Sequence, residues 1–362
     1  YHAKYSLKSE ELFKWFFNLS TAFNKAARWN SLLNLYEELL YLIDVNLSKD
    51  SVEYSMTVMY FSTLLYNLGL YERALHLVEG SFDILKKTLG ESDLRFLSVA
   101  NNLATIYYYR GELKKSKALY EQVIEIRKAA LGEEKPGYAD VMDNLAIIYG
   151  DLGDADKAIE LHKKAAEIYK NTLGEKHVHY ADALNNLASA YLKQKKYNEA
   201  IELFNKALKI VVESTGKNHP RYAASLNHIA TLHFEKNETG SALTNYEKAF
   251  EIRKKLLGEN HPLTAYTLLN IGQTYNQAGS YKVAIEFQEK ATNIFKNTYG
   301  EKHFSYADAL KSQGKSFKNM GDLNKALEYF IMAEKIYMEN FDEQHESVVD
   351  TKKEIELLSS KN

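Results

Sequence analysis

The chain repeats itself every 42 residues, and that period limits its fold more than any other feature. The pattern Ala183-Leu184-Asn185-Asn186-Leu187-Ala188 recurs upstream as Val141-Met142-Asp143-Asn144-Leu145-Ala146 and Val99-Ala100-Asn101-Asn102-Leu103-Ala104. Downstream it recurs as Ser225-Leu226-Asn227-His228-Ile229-Ala230 and Thr267-Leu268-Leu269-Asn270-Ile271-Gly272. A unit of this size cannot bury its apolar face alone. Stacked on its neighbours it shares one continuous core, so the period predicts a single repeat array across residues 1–362 and not several globular domains.

Each unit holds two helical patterns. In the first, Ala183, Leu187, Ala188 and Tyr191 fall on one stripe at helical spacing, and in the second Ala200, Phe204, Ala207 and Ile210 do the same. Two columns carry small residues. One runs Ala104, Ala146, Ala188, Ala230, Gly272, Gly314, and the other Ala74, Ser116, Ala158, Ala200, Ala242, Ala284, Ala326. Small side chains at a crossing let the ridges of one helix enter the grooves of another, so these columns mark helix contacts. Large residues flank them, in a tyrosine column (Tyr107, Tyr149, Tyr191, Tyr275) and an isoleucine column from Ile84 to Ile336, and much of the 27-tyrosine content is core lining.

Punctuation agrees with the period. Gly90, Gly132, Gly174, Gly216, Gly258 and Gly300 each end an amphipathic run, as expected of helix C-caps. Pro136, Pro220 and Pro262 share a column where the next helix begins, a place that tolerates a missing N–H. Regular repeats therefore span 93–130, 135–172, 177–214, 219–256, 261–298 and 303–340. Degenerate ones span 8–46 and 51–88, and a capping helix spans 343–359. The fold class is all-α, with about eight antiparallel helix pairs plus the C-terminal capping helix. Trp15 and Phe17 are too apolar for a free end, which predicts a fused or associated domain stacked there. The absence of a leading Met predicts a processed or excerpted chain.

The bulk numbers exclude several functions. With 46 basic and 48 acidic side chains the net charge is −2, which offers no global field for nucleic acid or an anionic membrane. There is no cysteine, so thiolate metal sites and disulfides are excluded. No apolar run approaches the ~20 residues that span a bilayer, and no signal-peptide pattern opens the chain, so a cytoplasmic location is expected. The Asn-x-Ser/Thr triplets at Asn18, Asn46 and Asn237 are read as chance.

Two apparent chemical motifs have simpler readings. Ala309-Leu310-Lys311-Ser312-Gln313-Gly314-Lys315-Ser316 fits a loose phosphate-loop pattern, but Gly314 falls in a small packing column inside a helix whose amides are already used. His177, His219, His261, His303 and His345 form a strict column in the inter-repeat loop a whole repeat apart, too far for one metal, and are assigned to loop or first-turn hydrogen bonds. No catalytic residue, cofactor site or metal site is predicted.

Leu187, Ala188, Tyr191, Tyr197, Ala200, Phe204 and Ala207, with their equivalents along nearly the whole chain, resemble the signature of tetratricopeptide repeats. The 42-residue period and the connection Leu257-Gly258-Glu259-Asn260-His261-Pro262 resemble the kinesin-light-chain-like subfamily. The resemblance implies a right-handed superhelical solenoid that binds a protein or peptide in a concave groove lined by the first helix of each pair. Carried over by position, the groove columns run through Asp182, Asn185, Asn186, Ser189 and Lys193.

On that basis the candidate groove residues are Tyr60, Asn102, Tyr109, Asp140, Asn144, Asp182, Asn186, His228, Asn270, Lys311, Lys315 and Lys318. An asparagine both donates and accepts, which suits the backbone of an extended peptide; the same amides could equally bond to a neighbouring helix. Met56, Met59, Tyr60, Tyr66, Tyr108 and Tyr109 would give repeats two and three an aromatic, soft apolar surface. Asp140, Asp143 and Asp182 would make repeats four and five acidic, and the three lysines would make repeat eight basic. The leading function is a non-enzymatic interaction scaffold. The alternative is a regulatory sensor array within a larger signalling NTPase or caspase-like protease.

Overall fold

A computed structural model of the chain describes Tyr41 and residues 48–67, 70–341, 343 and 345–360. The degenerate repeat over 8–46 and its Trp15/Phe17 end thus lie outside the described residues, Tyr41 excepted. Among the described residues there are fifteen helices and no strand. They pair as α1 (Val52–Asn67) with α2 (Tyr71–Leu89), α3 (Leu94–Tyr109) with α4 (Leu113–Leu131), and α5 (Pro136–Asp151) with α6 (Ala155–Leu173). Next come α7 (Val178–Lys193) with α8 (Tyr197–Thr215), α9 (Pro220–Glu235) with α10 (Thr239–Leu257), and α11 (Pro262–Gln277) with α12 (Tyr281–Tyr299). The last pair is α13 (Phe304–Met320) with α14 (Leu323–Asn340), followed by α15 (Glu346–Ser359). Two compact units are present, residues 1–110 with 114–133, and residues 111–113 with 134–362.

Helix boundaries follow from local chemistry. His177, His219, His261, His303 and His345 are all N-caps, and each ring accepts through Nδ1 from the backbone N–H two residues on, at 3.0–3.2 Å. Asp93 caps α3 in the same column through its carboxylate. The histidine column is therefore a capping device, satisfying one of the orphan amides of each helix start.

The two glycine columns differ in a way that explains their composition. Gly174 closes α6 at φ 92°, ψ 162°, and Gly90, Gly216, Gly258 and Gly300 share that region, which is essentially closed to any residue with a Cβ. Gly321, in the turn within a pair, is left-handed at φ 94°, ψ 0°. Side chains tolerate that second conformation better, and Lys195 and Asn237 occupy the equivalent position at φ 59°.

Packing follows the small columns. Ala188, Ala200, Ala230 and Ala242 are fully buried. Ser116 fits among the alanines because its hydroxyl donates to the Ala104 carbonyl across the crossing at 2.7 Å. At Gly272 an added Cβ would lie 2.9 Å from the Ala284 carbonyl, and at Gly314 it would lie 3.0 Å from the Phe330 ring. The last two pairs thus cross more closely than the alanine pairs allow. The large column is buried from one side and covered by lysines on the other, as where Lys157 sits 4.7 Å from the Tyr149 ring centroid.

The helix α15 packs on the last pair. Val348, Thr351 and Leu358 are buried against the preceding pair. Its other positions break the pattern, because Lys352 stands in the column of Leu310 and Glu356 in that of Gly314. A helix packed on those two charges would have to desolvate them, while Val349 and Leu357 stay exposed on the same helix.

Candidate functional site

The candidate groove residues lie on the odd-numbered helices. In the first unit most of them serve packing. Asn102 on α3 is buried, and its amide N–H groups reach the Met59 carbonyl (3.3 Å), Ser62 Oγ (3.2 Å) and Thr63 Oγ1 (2.8 Å) of α1. Tyr109 stacks on Tyr71 (5.1 Å between centroids) and Tyr66 (6.0 Å), and burial raises the hydroxyl pKa of both Tyr66 and Tyr109. Tyr60 is half-buried, with its pKa also raised by burial. The expected soft apolar surface is only partly present: Met56 and Met59 are buried among the helices, because hydrophobic side chains at these positions gain more from the core than from solvent.

In the second unit the acids of repeats four and five have internal partners. Tyr169 donates its hydroxyl to Asp140 at 2.6 Å, and Arg221 reaches both oxygens of Asp182 at 2.9 and 3.2 Å. Burial raises the pKa of Asp182, and Arg221 opposes that shift. Asp143 is buried, held at 2.6 Å by His162 Nδ1 and at 2.7 Å by the amide of Asn186. Asn186 therefore braces a neighbouring helix, the second of the two roles open to that column. Asn185 is buried beside Ser225 rather than exposed in the groove, because it sits a helical step of ~100° away from Asn186 and faces α9. Asn144 is half-buried, and its side chain makes no hydrogen bond among the described residues.

His228 takes the asparagine column position on α9. It stacks on Phe204 at 5.4 Å and lies 3.3 Å from Ser189 Oγ. Burial lowers its pKa to about 4, helped by the nearby Arg253 cation. Arg253 is itself buried, and burial lowers its pKa to about 10. It stays charged at neutral pH and donates to the Leu263 carbonyl (2.8 Å) and Thr267 Oγ1 (2.7 Å).

The three lysines divide. Lys318 binds Glu354 of α15 at 2.5 Å, and Lys311 lies 3.7 Å from Asp350 of the same helix. Burial and the neighbouring Lys315 lower the pKa of Lys311. Lys315 is exposed and makes no ion pair among the described residues. The segment 309–316 lies inside α13, with Gly314 packed on Phe330, so its amides are committed to the helix.

One groove of 590 Å³ brings candidates together, on the faces of α11 and α13. Asn270, Lys311 and Lys315 line it, along with Phe234, Tyr266, Leu269, Gln273, Asn276, Gln277, Asp308 and Ser312. Gln277 donates to the Phe234 carbonyl and Asn237, and Asn276 accepts from Asn319. Among the described residues, Asn270 and Gln273 find no side-chain hydrogen-bond partner. They stand three residues apart on one helix face, beside an apolar wall and an unpaired ammonium. Gln273 is absent from the sequence-derived set, yet the register could have found it, since it occupies the column of Lys315. Among the described residues no group of three His, Asp or Glu side chains could hold a metal, and no helix is long and apolar enough to cross a membrane.

The sequence profile of the tetratricopeptide repeat matches residues 54–129, 95–171, 139–213, 179–255, 239–297 and 276–339. The chain belongs to the tetratricopeptide-repeat family. Its fold is similar to that of a Rap protein complexed with competence and sporulation factor, at TM-score 0.65 and 12% identity over 98% of each chain. It is also similar to the Cut9-Hcn1 hetero-tetramer of the APC/C, at TM-score 0.60 and 14% identity over 93% of this chain and 55% of that one. A third similar structure is BtubC from P. vanneervenii, at 24% identity and TM-score 0.48, over 64% of this chain and 92% of that one. No curated protein matches the chain.

Proposed function

We propose that the protein is a non-enzymatic, cytoplasmic interaction scaffold that holds an extended peptide or protein segment against α11 and α13. The observation that carries this reading is the pair of unengaged carboxamides, Asn270 and Gln273, in a 590 Å³ groove beside Lys315. Carboxamides at one helical step can each donate to and accept from a peptide backbone without dictating its side chains. Phe234, Tyr266 and Leu269 offer apolar contact, and the exposed Lys315 selects an acidic side chain or a terminal carboxylate nearby. In a Rap protein the same kind of fold is complexed with the competence and sporulation factor, which supports the fold's suitability for a ligand and nothing about its identity. The alternative, a sensor array within a larger NTPase or protease, rests on the Trp15/Phe17 end outside the described residues. Neither nucleic acid nor membrane is proposed as a partner.

Selection from a displayed library of random 12-residue peptides tests the reading. Enriched sequences should carry an acidic residue, and Lys315→Glu should abolish that enrichment. Replacing both Asn270 and Gln273 by Ala should weaken a selected peptide about tenfold or more, at 0.5–1.5 kcal/mol per bond, with an unchanged thermal melt. If selected peptides bind the double variant as well as the parent, the groove is not the site.

A further inference from the structure

Two close approaches in the second unit join stretches more than 190 positions apart, and they share one register. His345, at the start of α15, bonds through Nε2 to the carbonyl of Asp151, at the end of α5, at 2.6 Å. Its Nδ1 already accepts from the Ser347 amide, so the proton must sit on Nε2 and the carbonyl accepts. One repeat earlier on both sides, the Gly111 turn, two residues beyond the position equivalent to Asp151, meets the start of α13 and the end of α14. A Cβ on Gly111 would lie 2.7 Å from Asn340 Oδ1 and 3.3 Å from the Phe304 ring. Such a Cβ at Gly279, in the same glycine column, would meet nothing within 4 Å. A close approach that recurs at a 42-residue step on both partners is a seam between separate stretches of the repeat array.

The seam borders the groove. Asp308 lines the groove, and its pKa is raised by burial and also by Asp151, while His345 acts to lower it. Across the row of odd-numbered helices, the end of the first (α5) thus meets the beginning of the last (α15).

We propose that this seam is a latch that closes the concave face of the second unit in the unliganded protein and must open sideways to admit a bulky partner. Narrow molecules pass without opening it. The latch stands on its own geometry, and it rests on the peptide-binding reading only for what it admits.

The chain has no cysteine, which makes the test direct. Gln273→Cys places a single thiol in the groove, and its reaction rate is followed with N-ethylmaleimide and with a maleimide carrying a 5-kDa polyethylene glycol. Two variants break the seam independently. His345→Asn keeps a good N-cap but removes the Nε2 donor. Gly111→Asn adds bulk at a turn conformation that Asn237 already adopts in its own repeat. Each should raise the bulky-reagent rate about fivefold or more, the population shift expected from losing one net hydrogen bond, with the small-reagent rate unchanged. Gly279→Asn, away from the seam, should change neither. Bulky-reagent rates that are equal in the parent and both variants would overturn the latch, whether or not any peptide binds.

Discussion

At the scale of single residues, one column of the sequence carries two chemistries. Asn102 spends its amide on three acceptors of the preceding odd-numbered helix, whereas Asn270, the same column four repeats on, spends none. Asn102→Ala should therefore destabilise the first unit by about 1–3 kcal/mol, because buried acceptors lose their donor. Asn270→Ala should leave the melt unchanged. Comparing the two melting curves checks this directly. His228 gives a pH test with a definite sign. Burial lowers its pKa to about 4, so the folded protein keeps it neutral while the unfolded chain takes up a proton near 6.5. Stability should fall as pH drops from 6.5 toward 4 and then level off. His228→Asn, which restores the column's usual residue, should flatten that part of the profile in urea titrations at stepped pH.

At the scale of an element, each helix is delimited by chemistry whose strictness can be ranked. Gly174 occupies backbone space that only glycine visits readily, and Gly174→Ala should cost about 1–3 kcal/mol. Gly153→Asn, in the column where Asn237 is already accommodated, should cost much less. A reversal of that order in chemical denaturation would show that the turn geometry is not what selects glycine. The histidine caps are comparable in size: His303→Ala should cost about 0.5–2 kcal/mol through the lost bond to the Ser305 amide. Gly314→Ala tests the close crossing of α13 and α14. Its methyl group would press on the fully buried Phe330, and a loss of about 1–3 kcal/mol is expected.

At the scale of the molecule, stability is a sum of repeats and of the interfaces between neighbours. The capping helix contributes by covering an apolar end. A chain ended after Asn340 would uncover the surface now shielded by Val348 and Leu358, and the second unit should lose several kcal/mol. Calorimetry should show its transition at lower temperature. The same truncation removes His345, so the thiol at position 273 should become open to the bulky reagent.

The sequence by itself determined the architecture, because a 42-residue period leaves one economical way to bury its apolar stripes. Gly272 and Gly314 in the small columns, proline at N1 and glycine at the helix ends were all legible, since each reflects a local requirement repeated in every unit. The histidine column was legible as a hydrogen-bonding position of the loop or first turn, but its N-cap geometry came only from the structure. The proposed binding face was legible only as a row of columns. Whether Asn186 faces a ligand or a neighbouring helix depends on Asp143, 43 residues away, and on His162 turning the same carboxylate inward. Lys315 is unpaired while Lys318 is not, because α15 places Glu354 beside one and no acid beside the other. The seam was invisible in the sequence altogether. His345 caps its helix like the four histidines before it, and only the curvature of the stacked pairs brings its second nitrogen to the Asp151 carbonyl. Local periodicity specifies what a repeat is, but hydrogen-bond partners across repeats are settled by how the stacked units turn, a quantity summed over many small packing angles and written at no single position.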